Sequence, residues 1–354
     1  MKRAFENSKG IVQRKEVFIG IDVHKVSWHV TARTGGEEVF HGGIPGQYGA
    51  LRGLLNRFKG CQMKVAYEAG PCGFWLHDKL TEDEIEVIVV PPSLIPVESG
   101  NKVKTDKRDS RKLARLLESG LLKRVYVLTE EDRVDRELLR TRRQVLEHRN
   151  DVARQIKSKL LFHGMTSPFS TQTWTRGYLR WLKELIFERE ALRISFDVLI
   201  ELYEYLTTEL VKLKKRILEL SQSGKYRDKV TLLKGIPGIG TLIAMEILVE
   251  LAEMERFAKA DELASYIGLT PSEFSTGEYV RQGRITRCGN KRVRTALVEA
   301  SWILIQKDPW MRAKYNRLKG MKGGKRAIIA IARNLIIRIR RILLNNEPYV
   351  VGVC

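Results

Sequence analysis

Three patterns of apolar and polar positions follow one another along the chain. Short apolar runs separated by turns fill the first third, and they predict strands at 17–22, 26–33, 37–41, 63–68, 86–90 and 124–128. Helical periodicity at 47–58, 73–82 and 107–119 falls between them. Thr34-Gly35-Gly36 marks a hairpin-like turn, and Pro91-Pro92 closes the fifth strand. Strands joined first by turns and then by helices predict an α/β domain over 16–130, with a mixed sheet covered by helices. The polar, basic residues 1–15 read as a mobile arm.

From 131 to 222 the pattern becomes helical. Leu138, Val145 and Val152 recur every seven residues, and a Gly-, Pro-, Ser- and Thr-rich break follows at 164–175. Leu192, Phe196, Leu199, Tyr203, Leu206, Leu210, Leu213, Ile217 and Leu220 then alternate spacings of four and three. That seam is a coiled-coil signature, and it fits a hairpin within the chain and a coil between chains equally well. Residues 223–354 predict an all-α domain, glycine-punctuated and very basic. Between Met311 and Leu344 there are eleven Lys or Arg and no acid. The stretch Lys319-Gly320-Met321-Lys322-Gly323-Gly324-Lys325-Arg326 reads as a phosphate-binding loop.

Within this frame four carboxylates carry the chemistry. Asp22 ends the apolar run Val17–Ile21, and Glu68 ends Val65-Ala66-Tyr67. Asp106 and Asp109 open a basic helix on one helical face. Acids that cap buried strands and meet a pair on a nearby helix offer the oxygen-rich cluster that Mg²⁺ takes. Two such ions clamp the attacking and leaving oxygens of a phosphodiester. Lys102, Lys104, Lys107, Arg108, Arg111 and Lys112 surround the pair and suit a passing phosphate. Taken singly, Asp106 also reads as a helix cap and Asp109 as a first-turn acid; His24 reads as structural.

The net charge of +21 over 354 residues points to a nucleic-acid partner. Cys61, Cys72, Cys288 and Cys354 form no CxxC pair, so neither a zinc site nor a disulfide framework is expected. The first residues lack the apolar core of a signal peptide, and no uncharged stretch is long enough to span a bilayer. A reducing cytoplasm fits this cysteine usage.

Two further motifs lie in the basic third. Gly235-Ile236-Pro237-Gly238-Ile239-Gly240 between apolar helical runs predicts a helix-hairpin-helix whose backbone N–H groups take a phosphate; the plainer reading is an αα-hairpin turn. Pro271-Ser272-Glu273-Phe274-Ser275-Thr276-Gly277 is followed by Arg281, Arg284, Arg287, Lys291, Arg292 and Arg294. Ser275 is a turn hydroxyl beside cations that can hold a scissile phosphate, with no histidine after residue 164 to act as its base.

With these residues assembled, the chain resembles the insertion-sequence-110 family of transposases over about 16–340. The resemblance rests on Ile19-Gly20-Ile21-Asp22-Val23-His24-Lys25, Tyr67-Glu68-Ala69-Gly70 and Lys104-Thr105-Asp106-Lys107-Arg108-Asp109. It rests also on the glycine hairpin, Pro271–Gly277, and Gln282-Gly283-Arg284-Ile285-Thr286-Arg287-Cys288-Gly289-Asn290. The resemblance implies an RNase H-like, RuvC-type fold whose DEDD carboxylates, Asp22, Glu68, Asp106 and Asp109, bind Mg²⁺. It implies a recombinase directed by a structured non-coding RNA that pairs with donor and target DNA. It implies a bacterial or archaeal, nucleoid-associated setting. It implies a serine nucleophile that becomes covalently joined to DNA, in a dimer to tetramer tied by coiled-coil helices. The family serine usually stands directly before the motif glycine; here Thr276 holds that place and Ser275 precedes it, so either hydroxyl is a candidate. The rival readings are a metal-only nuclease of junction-resolvase type and a non-enzymatic nucleic-acid-binding protein.

Overall fold

A computed structural model of the chain describes residues 16–96, 106–169, 174–273, 279, 282–286 and 288–352, with the backbone alone at 106, 107, 273, 282 and 284. The chain divides into two compact units, Met1–Val127 and Leu128–Cys354.

The first unit is built on a five-stranded sheet: β1 (Glu16–Val23), β2 (Ser27–Thr34), β3 (Glu37–Pro45), β4 (Gln62–Glu68) and β5 (Glu86–Val90). Their spatial order is β3-β2-β1-β4-β5. The first three pair antiparallel, and β4 and β5 add in parallel beside β1. Gly35 and Gly36 both adopt positive φ, 59° and 85°, as the tight β2–β3 turn requires. Alternation along β1 gives the sheet two different faces. Val17, Ile19 and Ile21 are fully buried together with Trp28, Val30, Val65 and Tyr67. Leu51, Leu54, Leu76 and Leu80 of α1 (Tyr48–Leu55) and α2 (Trp75–Glu82) complete that core. The opposite face carries Phe18, Gly20 and Asp22, and α3 (Asp106–Glu118) lies across it, with Leu113 and Leu117 on Ala66 and Val90. This is the RNase H-like mixed sheet expected from the sequence. The sixth strand is not formed: residues 121–129 are irregular, and Val125 makes one backbone bond, its N–H to the Val89 carbonyl at 2.7 Å. A single bond continues no ladder, so the apolar run at 124–128 packs as coil.

The second unit opens with α4 (Glu130–Phe162), α5 (Arg176–Glu184) and α6 (Glu190–Leu220). Thr129 caps α4 by accepting the Asp132 N–H, and the helix stops at Gly164 with φ 66°. α4 and α6 run antiparallel: Lys159 donates to Ser195 at 2.7 Å, and Arg149 lies over the Tyr203 ring. The seam therefore closes within the chain. Its positions Phe196, Tyr203, Leu210 and Ile217, seven apart, are buried, the first two in one core with Val152, Ile156, Tyr178 and Leu182.

The remainder is helical: α7 (Arg227–Lys234), α8 (Thr241–Leu251), α9 (Ala260–Ile267), α10 (Lys291–Lys307), α11 (Pro309–Lys322) and α12 (Gly324–Asn345). A short ribbon, β6 (Pro271–Glu273) with β7 (Gln282–Ile285), interrupts them. One apolar core joins these helices, with Ile331, Leu335 and Ile339 of α12 fully buried in it. Among the described residues no helix is long and apolar enough to cross a membrane.

Candidate active site and nucleic-acid interface

Register brings the two strand-end acids together. Ile21 pairs with Tyr67 in the parallel β1–β4 ladder, so the next positions, Asp22 and Glu68, are neighbours on the same face, about 5 Å apart at Cα. That face is the one beneath α3. Ser110 shares a 2.9 Å hydrogen bond with Thr31, which pairs with Gly20, while Glu118 at the far end accepts from Arg33, which pairs with Phe18. The helix thus runs opposite to β1, and its first turn, carrying Asp106 and Asp109, lies over the strand end that bears Asp22. The distances agree: Asp22 is two strand residues beyond Gly20, and position 106 is one helical turn before Ser110, each a step of about 6 Å. This seating requires Gly20, because a Cβ there would stand 2.3 Å from the Ser110 carbonyl oxygen and 2.4 Å from the Ala114 nitrogen.

Asp22 is largely shielded, with its side chain 16% exposed, and the ring of His24 lies 3.2 Å from its Oδ2. Glu68 and Asp109 are half-buried, and Arg108 is exposed. Arg111 forks onto Glu38 at 2.8 and 3.0 Å, which holds the Glu38 carboxyl below its usual range, so this cation is committed to clamping α3 against the β2–β3 hairpin. Among the described residues no three His, Cys, Asp or Glu side chains converge as a metal set. The side chains of Asp106 and Lys107, and all of Lys104, lie outside the described residues. Asp22, Glu68 and Asp109 stand at one end of one sheet face and its overlying helix without converging, and their chemistry, carboxylate oxygen, is the kind a hard divalent cation takes.

Ser275 and Thr276, together with Arg281, Arg287 and the Arg284 side chain, also lie outside the described residues. What is described is the base from which they extend. β6 and β7 pair, Thr286 donates its N–H to Thr270 at 3.0 Å, and Asn290 caps α10 by accepting the N–H groups of Arg292 and Val293. Lys291 is exposed at that helix start, whereas Arg294 turns inward and donates to the Ile267 carbonyl at 2.6 Å.

The glycine hairpin divides its labour. Ile236 and Ile239 are buried. Gly238, at φ 93°, touches α10 so closely that a Cβ would lie 2.5 Å from the Ala300 carbonyl oxygen. Gly240 is exposed, has nothing within 4 Å of a built Cβ, and stands at the N-cap of α8 with no side chain to occupy the first N–H groups. Gly235 is exposed and meets only the carbonyl of Leu232 in its own turn.

A family model described as "Transposase IS116/IS110/IS902 family" matches residues 230–316, and a DEDD transposase model of the IS110 type matches 19–164. The chain is 32% identical over 351 residues to y4qE of Sinorhizobium fredii, a transposase by its name, covering 98% of this chain and 86% of that protein. The chain belongs to the IS116/IS110/IS902 family of transposases. It is also 26% identical to the transposase for insertion sequence element IS1533 of Leptospira borgpetersenii, over 95% of this chain and 98% of that one. A pilin gene-inverting protein of Moraxella bovis matches at 33%, over 35% of this chain and 40% of its own length. The transposase is thus an enzyme that acts on DNA, and its DEDD domain points to dependence on a divalent metal.

One feature of the transposase escapes sequence reasoning. Glu250, 2% exposed, accepts two 2.8 Å hydrogen bonds from Arg140 and a third from Asn290. Its partners lie 110 and 40 residues away, so no local pattern announces them. The legible signal is a lone acid in the apolar run Leu248-Val249-Glu250-Leu251.

Proposed function

We propose that this transposase is an RNA-guided DNA recombinase in which Asp22, Glu68, Asp106 and Asp109 hold Mg²⁺ and a hydroxyl, Ser275 with Thr276 as the alternative, attacks the DNA backbone. The observation that carries the reading is the side-by-side placement of Asp22 and Glu68 under the first turn of α3. Mg²⁺ held by these carboxylates would supply positive charge against the negative charge that develops on the phosphodiester. The protein's own groups do the rest. The Ser275 oxygen forms a bond to phosphorus, the bond from phosphorus to the departing sugar oxygen breaks, and that oxygen takes up a proton as the serine hydroxyl gives one up. Attack of a sugar hydroxyl on the serine phosphoester reverses the step and joins the new strand.

The grip on nucleic acid is backbone-directed. The uncovered N-terminus of α8 after Gly240 receives a phosphate, with Gly235 and Gly238 shaping the turn. The cations we assign to phosphate are Lys104, Lys107 and Arg108 in the first unit and Arg281, Arg284, Arg287, Lys291, Arg292 and Arg294 in the second, Arg294 by fixing the ribbon's base. The net charge of +21 suits a second polyanion, a structured guide RNA whose pairing supplies the sequence choice. The working form is a homo-oligomer of two to four copies. The seam of α6 is filled by α4, and the outward stripe Ile194, Val198 and Tyr205, each more than half exposed, supplies apolar surface between copies.

The test is a denaturing protein gel after incubation with end-junction DNA, target duplex, flanking transcript and Mg²⁺. Wild type gives a DNA-shifted band that Ser275→Ala removes and Thr276→Ala retains. Loss in Thr276→Ala alone reassigns the nucleophile. Cleaved DNA without a shifted band in any lane establishes the metal-only nuclease instead.

A further inference from the structure

Glu250 is buried among the apolar residues of α8, where an unpaired carboxylate is costly. Arg140 of α4 grips it in a fork, Nε to Oε1 and Nη2 to Oε2, each at 2.8 Å. Oε2 also accepts the Asn290 Nδ2–H at 2.8 Å. Burial pushes this carboxyl up, and the Arg140 and Asn290 contacts more than offset it, so it stays ionised below the usual range. A leucine would satisfy the same burial. A forked ion pair with a third hydrogen bond additionally fixes the register of the elements that meet there.

Those elements converge on Asn290. Its Oδ1 accepts the N–H groups of Arg292 and Val293, both at 3.1 Å, which starts α10. Its own N–H donates to the Tyr266 carbonyl at 3.1 Å, which ties it to α9. Around it the backbones touch without intervening side chains. A Cβ on Gly289 would stand 2.0 Å from the Tyr266 oxygen, and one on Gly268 would stand 2.0 Å from the Cys288 oxygen. Gly268 leads into β6 and Cys288–Asn290 follow β7, so this clamp holds both legs of the chain segment that carries Ser275 and Thr276.

We infer that Glu250 is a positioning residue for strand attack: by fixing Asn290 against Arg140 it holds the described ends of the β6–β7 ribbon, at Gly268 and Asn290, in register with the long helix α4. The inference rests on the proposed hydroxyl mechanism. It assigns Glu250, Arg140 and Asn290 a role in orientation rather than in touching substrate.

Asn290→Asp isolates the latch, because it keeps the oxygen that caps α10 and replaces only the donor to Glu250. The readouts are the single-turnover rate of covalent adduct formation at saturating DNA, the DNA Kd, and the folded fraction by circular dichroism. Asn290→Asp is expected to slow adduct formation roughly 30- to 100-fold per folded molecule, with Kd within about threefold of wild type. An Asn290→Asp rate within about twofold of wild type, or a loss that only tracks Kd or folded fraction, overturns the positioning role. Absence of any adduct in wild type overturns the hydroxyl mechanism itself, and the positioning role with it.

Discussion

The carbonyl oxygen of Ser110 occupies the place where a side chain on Gly20 would begin, 2.3 Å from its built Cβ. This contact is what seats α3 on β1 and carries the turn with Asp106 and Asp109 to the strand end that holds Asp22. Gly20→Ala forces the helix away from the sheet. The expected cost is about 1–3 kcal/mol in urea denaturation, the range for overpacking a close contact, accompanied by loss of DNA cleavage. A variant with an unchanged denaturation midpoint and full cleavage would show that α3 is not seated in this way.

Two glycines of one hairpin predict opposite results. Gly238 combines φ 93° with a 2.5 Å approach to the Ala300 carbonyl, so Gly238→Ala lowers stability by more than about 1 kcal/mol and weakens DNA binding only as the fold loosens. Gly240 has open space and an ordinary φ of −91°, so Gly240→Asp leaves the thermal midpoint nearly unchanged. Its carboxylate occupies the α8 N-terminus and repels phosphate, and DNA affinity falls about tenfold or more at low salt. Calorimetry and fluorescence anisotropy on both variants check the pair. Equal effects of the two substitutions on binding and stability would remove the phosphate role of Gly240.

The contrast shows what sequence reasoning can and cannot reach. Elements with a local period were legible: β1 through β5, the Gly35-Gly36 turn, the helix opened by Asp106, and the seam from Leu192 to Leu220 all state themselves in spacing. The run at 124–128 has strand-like composition, yet only Val125 finds a backbone partner on β5, because ladder formation depends on a neighbour that spacing does not specify. The seam revealed a packed helix but not its partner; α4 of the same chain fills it. The Gly20–Ser110 approach and the Glu250–Arg140–Asn290 hub were illegible because they join residues 90, 110 and 40 positions apart. The pairing of Asp22 with Glu68 follows from a parallel register that the sequence implies only once β1 and β4 are known to be adjacent.

Asp308 supplies a pH-dependent prediction. It is fully buried, caps α11 through the Met311 N–H, and accepts from the Tyr349 hydroxyl at 2.5 Å, with Arg338 at 3.7 Å. Burial pushes its carboxyl up, but the Tyr349, Met311 and Gly352 contacts and the Arg338 charge outweigh it and hold it below the ordinary value of 3.8. A depressed pKa in the fold means that this stabilisation is present above the unfolded value and is lost as pH falls through the folded one. Asp308→Asn is therefore expected to cost about 1–3 kcal/mol near neutrality and progressively less in acid, measured as thermal midpoints between about pH 7 and pH 3. A deficit that stays constant across that range would contradict the assignment.

The carboxylate row beneath α3 is the claim on which the rest depends. The most direct measurement is cleavage of end-junction DNA, with the flanking transcript present, across a Mg²⁺ titration for wild type, Asp22→Asn and Glu68→Gln. DNA affinity is measured alongside. The account predicts ion-dependent cleavage by wild type and a loss of about 100-fold or more in each variant, with DNA affinity retained. Variants that bind and cleave as wild type does, at every concentration of the ion, would contradict it.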